Sequence, residues 1–517
     1  MNYVIAYDIG STGNKTCLYR LDSGLELLAE AAAKYPLSFV ENGGVEQNPD
    51  DWWESMRLTT AEVLRQADIS GAAVSAISFC SQMQGLVLVG KDGKALRPAM
   101  SYMDKRATKQ FDAWRSGFIS VAGINIRKLL VSLAETGVAA ASAKDPVFRY
   151  AWVREKEPEI FRKIHKWLDV KDYLILRATG HYVSSQDSAF GSLLYNTKKN
   201  RWSRAVCDLH GVKPEHLAQI VQCTDEIGTL TEAAAAQLGL CTGCRVFAGG
   251  GDSSLIGIGA GCTRPGETHV YIGTSGWVST VVDRQLTDIA AMIASVTGAI
   301  PGHYNYFAEM ETSGKCIEWV RDKLLGEDAS LEHMVDMASR APAGSNGVIF
   351  MPWLLGNRCP FEDADCRGGF FNISLTTEKH DLIRAVLEGI LFHKRWMLEC
   401  QKNKVRVCSE ASGASPVIRF VGGGARSALI CQMLADILNM RIERTEKPQN
   451  AGAMGAAILM SFGLGHIASL QEAGSLIKVD SAYTPDPLTA AQYNKNYAVF
   501  KRLYYKNKKN FSLLNKK

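Results

Sequence analysis

The chain has 517 residues, of which 46% are hydrophobic and 21% charged, with 46 Gly and 15 Pro. That length exceeds one ordinary core and predicts two domains of roughly 250 residues, while the composition is that of a soluble globular enzyme and excludes a fibrous, disordered or membrane-embedded chain. The formal charge of +5 is local, because Lys501, Arg502, Lys506, Lys508, Lys509, Lys516 and Lys517 carry the excess; the basic end reads as a solvated helix terminus, and neither nucleic acid nor membrane is expected as a partner.

The N-terminus reaches Asp8 without a basic stretch and reads as a strand, not a signal peptide. No apolar run approaches the roughly 20 residues that a bilayer requires. The 13 cysteines are odd in number and scattered through apolar contexts such as Ile77-Ser-Phe-Cys80, so a reducing, cytoplasmic setting is expected. Cys241-Thr-Gly-Cys244 has metal-site spacing, but without a second pair or a His partner it predicts no zinc.

Strands alternate with helices along the chain, which predicts an α/β protein. Tyr3–Tyr7 and Thr16–Tyr19 read as strands around the turn Asp8-Ile-Gly-Ser-Thr-Gly13. A helix follows at Gln47-Asn-Pro-Asp-Asp-Trp-Trp53: Asn48 suits the cap, Pro49 the first turn, and Asp50 and Asp51 the positive dipole end. Trp53, Met56, Thr60, Val63 and Leu64 then share one face. Ala73–Phe79 reads as a buried strand ending at Cys80-Ser-Gln-Met-Gln-Gly85, with a further strand at Leu86–Val89. Arg245–Ala248 is a β run that enters Gly249-Gly-Gly-Asp252, after which Ser253-Ser254 opens a helix.

Ile9-Gly-Ser-Thr-Gly13 recurs as Ile272-Gly-Thr-Ser-Gly276 about half the chain later, each copy flanked by β-rich runs. Phe247-Ala-Gly-Gly-Gly-Asp252 has a weaker echo in Phe420-Val-Gly-Gly-Gly-Ala425. Repeats at this scale predict two related lobes with facing hairpins. The expected division is 1–255, 256–480 and a helical tail at 481–517, with Gly249–Gly261 as a hinge.

Glycines at 10 and 13 let backbone N–H groups approach an anion, and Asp8 at the strand end suits Mg²⁺ held through water. Lys15 adds positive charge. Taken alone the turn is as well explained as an ordinary hairpin; its second copy, Gly273-Thr-Ser-Gly276, favours a clamp on a triphosphate from both sides. The pattern Gly-x4-Gly-Lys-Ser/Thr is absent, and Gly257-Ile-Gly-Ala-Gly261 meets Cys262 where a dinucleotide loop needs its last glycine, so neither a P-loop nor a Rossmann site is expected. Asp252, reached over three glycines, suits the base that a kinase needs to take a hydroxyl proton, although an Asp there also caps the next helix. Val417-Ile-Arg-Phe-Val-Gly-Gly-Gly-Ala-Arg-Ser427 predicts strand, turn and helix Ala428–Leu438; a nucleoside could lie over that turn, and tight strand–helix packing explains it equally. Gln82, Asp104 and Arg106 are of the type that hydrogen-bond polyols, although each cluster also reads as surface loop.

In this order the pieces resemble the FGGY carbohydrate kinase family, most of all its xylulokinase branch, over nearly the whole chain. The resemblance rests on Asp8-Ile-Gly-Ser-Thr12, Glu46-Gln-Asn-Pro-Asp-Asp-Trp-Trp53, Gln82-Met83, Asp104-x-Arg106, Lys171-Asp-Tyr173 and Gly249-Gly-Gly-Asp252. It continues through Gly273-Thr-Ser-Gly276, Gly356-Asn-Arg-Cys-Pro360, Ala385-Val-Leu-Glu-Gly389, Gly422-Gly-Gly-Ala-Arg-Ser427 and Ala451-Gly-Ala-Met-Gly-Ala-Ala457. It implies two ribonuclease-H-like (actin/hexokinase-like ATPase) lobes with a cleft between them, ATP and Mg²⁺ as cofactors, and phosphorylation of a sugar hydroxyl, most of all on a ketopentose such as xylulose. By the same resemblance Asp252 is the catalytic base and Asp8 lies by the metal. Gln82, Met83, Asp104 and Asp252 face the sugar. Thr12, Gly13, Lys15, Gly273, Thr274, Gly314, Gly424 and Ala428 serve the nucleotide. Three positions depart from the family pattern and bear on the choice of sugar: Gln84 replaces a His, Tyr102 a Trp, and Ser253 an Asn. Ribulose, gluconate or another polyol is the alternative acceptor, a catalytically silent sugar sensor is the alternative class, and a homodimer is left open.

Overall fold

The structure, a computed structural model, describes residues 2–22, 24–117, 119–121, 123–326, 329–407 and 416–516; Lys517 of the basic end lies outside them. The chain divides into two compact units. The first is Met1–Gly259 with the returning segments Val296–Tyr304 and Gly452–Leu476; the second is Ala260–Ser295, Asn305–Ala451 and Ile477–Lys517.

In the first unit the hairpin Tyr3–Ile9/Gly13–Arg20 pairs without interruption from Tyr3↔Arg20 to Ile9↔Asn14, so both strands run up to the turn. Glu26–Lys34 adds antiparallel on the outer side. Val74–Ser81 lies parallel to Tyr3–Ile9, Arg245–Phe247 parallel to Val74–Ser81, and Glu226–Thr229 closes that edge antiparallel. The helix Pro49–Ala67 begins as its residues dictate: the Asn48 side chain accepts the Asp50 N–H, Pro49 stands in the first turn, and Asp50 and Asp51 follow. It buries Trp52, Trp53, Met56, Thr59, Thr60 and Val63, and its two buried threonines are paired; Thr60 Oγ1 is 2.7 Å from the Tyr7 hydroxyl and Thr59 Oγ1 2.7 Å from Thr16 Oγ1. A buried hydroxyl left unpaired costs about 1–3 kcal/mol, which is why these polar groups meet each other inside the sheet–helix layer.

The second unit repeats the strand pattern. Thr268–Ile272 and Gly276–Val282 form the antiparallel hairpin, Val417–Val421 lies parallel to its first strand, Arg441–Thr445 parallel to that, and Val479–Tyr483 antiparallel at the edge. Both units are α/β and ribonuclease-H-like. Helix Lys379–Lys402 is buried along most of its length. The helix Pro487–Asn515 packs Tyr493, Tyr497, Phe500 and Tyr504 inward, with the Tyr504 ring stacked 3.5 Å from Phe361. Its basic second half is largely exposed. Among the described residues no helix is long and apolar enough to cross a membrane.

Candidate active site

The turn after the first strand is held by its carbonyls. The Tyr35 hydroxyl donates to the Gly10 and Gly13 oxygens, the Tyr35 N–H to Thr12 O at 3.2 Å, and Gln47 Nε2 to Ser11 O at 2.9 Å. Thr12 is exposed at the apex. A Cβ at Gly13 would sit 2.8 Å from Ala33 O, so the turn tolerates no side chain there. Lys15 Nζ stands 3.7 Å from Asp8 Oδ2.

Register then carries Asp8 towards Asp252. Asp8 lies beside Cys80 and Cys80 beside Gly250; in the next row Ile9, Ser81 and Gly251 are neighbours, and Asp252 follows directly as the first residue of helix Asp252–Gly259. Burial and then the carboxylates of Asp8 and Asp252 push the Cys80 thiol well above its usual range, so one buried sulfur feels both acids. Asp252 Oδ1 accepts the Ser253 N–H at 2.7 Å, the capping role its position allows.

Each glycine before Asp252 answers a different neighbour. Gly249 has φ +63° and its Cβ would lie 2.0 Å from Phe79 O; at Gly250 the obstruction is Asp187 Oδ2 at 2.8 Å, and at Gly251 it is Met83, at 2.2 Å. Met83 therefore lies over the approach to Asp252, and its thioether accepts from Ser253 Oγ at 3.0 Å. Gln82 is buried. Its backbone N–H donates to Ile9 O at 2.8 Å and its Nε2 to Gln47 Oε1 at 2.9 Å, while its Oε1 has no partner among the described residues. A buried acceptor in that state suits a ligand hydroxyl.

Asp104 stands in a separate clamp. Its carboxylate accepts the N–H groups of Val45 at 2.8 Å and Arg106 at 3.0 Å and pairs with the Arg106 guanidinium, which also reaches Glu46 at 2.7 Å and lies over Trp152.

The loop that carries Gln82 and Met83 is gripped from below. Arg149, fully buried, donates to the carbonyls of Met100, Ser101 and Gln84. Asp169 accepts the N–H groups of Gln84 at 3.0 Å and Gly85 at 2.7 Å, and Gln84 has φ +61°. Burial, followed by the neighbouring Asp172, pushes the Asp169 carboxyl up to about 7. An acid raised in the folded state lends stability that is complete below its unfolded value near 4 and is lost as pH rises through about 7. The stability advantage of wild type over Asp169→Asn should therefore shrink between pH 5 and pH 8, by an amount on the order of a few kcal/mol, and the gap between their melting temperatures should narrow with it. Thermal melts at both pH values measure it, and a difference that does not change with pH contradicts the assignment.

In the second unit the turn after Ile272 rests on the start of helix Gly314–Val320. Gly314 N–H donates to Gly273 O at 2.8 Å, and Ser313 and Lys315 donate to Thr274 O at 3.3 and 3.2 Å. A Cβ at Gly314 would lie 2.3 Å from Gly273 O, so glycine is required for this contact. Gly424 packs on Ile272, where its Cβ would be 2.7 Å from Ile272 Cγ2. Gly422 has φ +93°. Ser427 Oγ accepts the Ile430 N–H at 3.3 Å, and Ala428 is the first residue of the helix so capped. The structure thus gathers Gly273, Thr274, Gly314 and Gly424 around one turn, with Ala428 opening the adjacent helix.

Two features of these sites escape the sequence reading. Gln47 links Ser11 to Gln82, a role that its place before a helix start did not indicate. Lys394 is fully buried, and among the described residues neither its Nζ nor Ser313 Oγ has a hydrogen-bond partner; both approach Gly276, where a Cβ would lie 2.4 and 2.8 Å from them. Burial pushes this amine well below the usual lysine range. The available signal was its place on the buried stripe Val386, Ile390, Lys394, Leu398, a charge at core spacing.

Comparison with known proteins identifies the family of the chain. Residues 3–259 match the N-terminal domain of the FGGY family of carbohydrate kinases and residues 269–464 match its C-terminal domain. A xylulose kinase of Bacillus subtilis (strain 168) is 29% identical over 505 residues, covering 98% of this chain and 97% of the relative. The structure of ligand-bound xylulose kinase from Lactobacillus acidophilus aligns with a TM-score of 0.86 at 27% identity over 100% of both chains. That of gluconate kinase from Lactobacillus acidophilus aligns with a TM-score of 0.84 at 28% identity over 98% of both.

Proposed function

Because the chain belongs to the FGGY family of carbohydrate kinases, we propose that it transfers the γ-phosphoryl group of ATP to a hydroxyl of a ketopentose such as xylulose, with Asp252 as general base. The observation that carries this reading is the position of Asp252. It ends a glycine run that admits close approach, beside Met83, with its carboxylate and that of Asp8 acting on the same Cys80 thiol. In the proposed step Asp252 takes the hydroxyl proton as the sugar oxygen bonds to the γ-phosphorus, and the bond from that phosphorus to the bridging oxygen of ADP breaks. Gln82 Oε1, unpartnered among the described residues, accepts from a sugar hydroxyl and Met83 covers the apolar side. Asp104 acts on the sugar site through the Val45–Arg106 clamp. Thr12, Gly13 and Lys15 in the first unit, and Gly273, Thr274, Gly314, Gly424 and Ala428 in the second, serve the nucleotide.

Mg²⁺ fits the residues present. Asp8 offers a carboxylate that is 15% exposed, and the facing Gly452 leaves open a position where a Cβ would meet Asp8 Oδ2 at 2.8 Å. One carboxylate plus substrate phosphates is the usual donor set for this ion, which when bound neutralises charge on the phosphoryl oxygens. A cytoplasmic setting, where ATP is available, belongs to the same proposal.

The likeness to a gluconate kinase supports a second acceptor class, the aldonates. Gln84 also bears on this choice: an amide, donating to Gly191 O at 3.3 Å, stands where the xylulokinase pattern has an imidazole. A coupled ADP assay over ketopentoses, aldonates and polyols decides between them. Ketopentose is expected to give the highest kcat/KM, and preference for an aldonate overturns the first choice while leaving the kinase chemistry intact.

A further inference from the structure

The first unit contains a buried charge network that the proposed chemistry does not use directly. Asp187, 0% exposed, lies in the first turn of helix Gln186–Gly191. Its Oδ2 accepts the Gly251 N–H at 2.7 Å, and its Oδ1 accepts the Ser188 N–H at 2.9 Å, the Ser185 hydroxyl and the Cys223 thiol at 3.4 Å. Behind it Lys171, also 0% exposed, donates to Ser185 Oγ and to Asp172 Oδ1, each at 2.6 Å, and Ser184 Oγ donates to Asp172 Oδ2 at 2.8 Å. Burial opposes the Lys171 charge, but Asp172 and Asp187 outweigh it and hold the ammonium at about 12. Burial, and then Asp187, push the Cys223 thiol well above its usual range, so it stays a donor.

Ion pairs buried this deeply are a poor source of stability, because desolvation offsets most of their attraction. What the arrangement does fix is one peptide. The Asp187 carboxylate comes so close that a Cβ at Gly250 would stand 2.8 Å from it, and it holds the N–H of the residue immediately before Asp252. A carboxylate bonded to a backbone N–H gives a stronger and more directional link than a neutral acceptor.

We propose that Asp187 is a positioning residue for Asp252: held by Lys171 through Ser185, it anchors the Gly251 N–H and so sets the direction from which Asp252 meets the acceptor hydroxyl. It touches neither sugar nor nucleotide. The proposal rests on Asp252 being the base, because a displacement near 1 Å at that group is enough to cost about 10²-fold in rate.

The test uses the full chain and the variants Asp187→Asn and Ser185→Ala, the latter a milder cut in the same link should the former fail to fold. Asp187→Asn should lower kcat about 10–100-fold, and Ser185→Ala about 3–10-fold, with KM for sugar and for ATP within about threefold of wild type. Amide hydrogen exchange read by mass spectrometry should quicken in the peptide containing Gly251, and a structural loss of no consequence for Asp252 would not produce that kinetic split. A kcat within about twofold of wild type in folded protein, a rise in KM that accounts for the whole loss, or unchanged exchange at Gly251 overturns the proposal. Asp252→Asn, run in parallel, separates the two failures. If it retains turnover, the reading of the base fails; if it is inactive while Asp187→Asn is fully active, only the positioning role fails.

Discussion

Asp252→Asn is expected to lower sugar-dependent ADP formation by about 10³-fold or more, in the upper part of the range for a positioned general base. The amide has the shape of the carboxylate and can still accept the Ser253 N–H, the bond of 2.7 Å that starts helix Asp252–Gly259. The glycine run and Met83 therefore keep their places, and what disappears is the capacity to take a proton. Nucleotide affinity should stay within about threefold, because the change removes no group assigned to the phosphates. Steady-state kinetics with calorimetric ADP binding measures both halves, and a variant that still phosphorylates sugar at a tenth of the wild-type rate contradicts the role.

Gly314→Val is expected to raise KM for ATP about 30–100-fold, equivalent to about 2–3 kcal/mol of lost binding. The new Cβ would meet Gly273 O at 2.3 Å, the same oxygen that the Gly314 N–H holds at 2.8 Å, so the substitution pushes away the turn it should anchor. Ser313 and Lys315, which hold Thr274 O, move with it. Sugar affinity should not change, since Gln82, Met83 and Asp252 belong to the other unit. An ATP KM within about twofold of wild type would show that the turn at Gly273 does not serve the nucleotide.

The sequence made the glycine turns legible for a physical reason. A glycine at a close contact cannot be replaced without a collision, so Gly10–Gly13, Gly249–Gly251, Gly273–Gly276 and Gly422–Gly424 mark where backbone must pass near something. Helix starts were legible because caps are local: Asn48 and Ser427 each bond an N–H two or three residues away. Strand limits were less so. Tyr3–Tyr7 and Ala73–Phe79 extend in the structure to Ile9 and Ser81, because parallel pairing continues through Asp8↔Cys80 and Ile9↔Ser81, a partnership no local pattern reveals. Glu26–Lys34, rich in Ala, Leu and Glu, has the composition of a helix and yet pairs as a strand; here the sheet edge overrides propensity.

Buried polar groups were the least legible. Asp187, Lys171 and Lys394 are of residue types that ordinarily face water, and their partners are far along the chain, as Gly251 is from Asp187. Asp104 illustrates a partial case. Its type and its spacing from Arg106 were legible, whereas the N–H of Val45, which its carboxylate accepts, lies far along the chain.

Phosphorus NMR of a single reaction mixture tests the central claim most directly, with ATP, Mg²⁺ and the acceptor that gives the highest kcat/KM. The account predicts one new sugar phosphoester resonance for each ADP formed, no build-up of inorganic phosphate, and neither product from Asp252→Asn. ADP accompanied by inorganic phosphate, with no phosphoester from any ketose, aldonate or polyol, would contradict it.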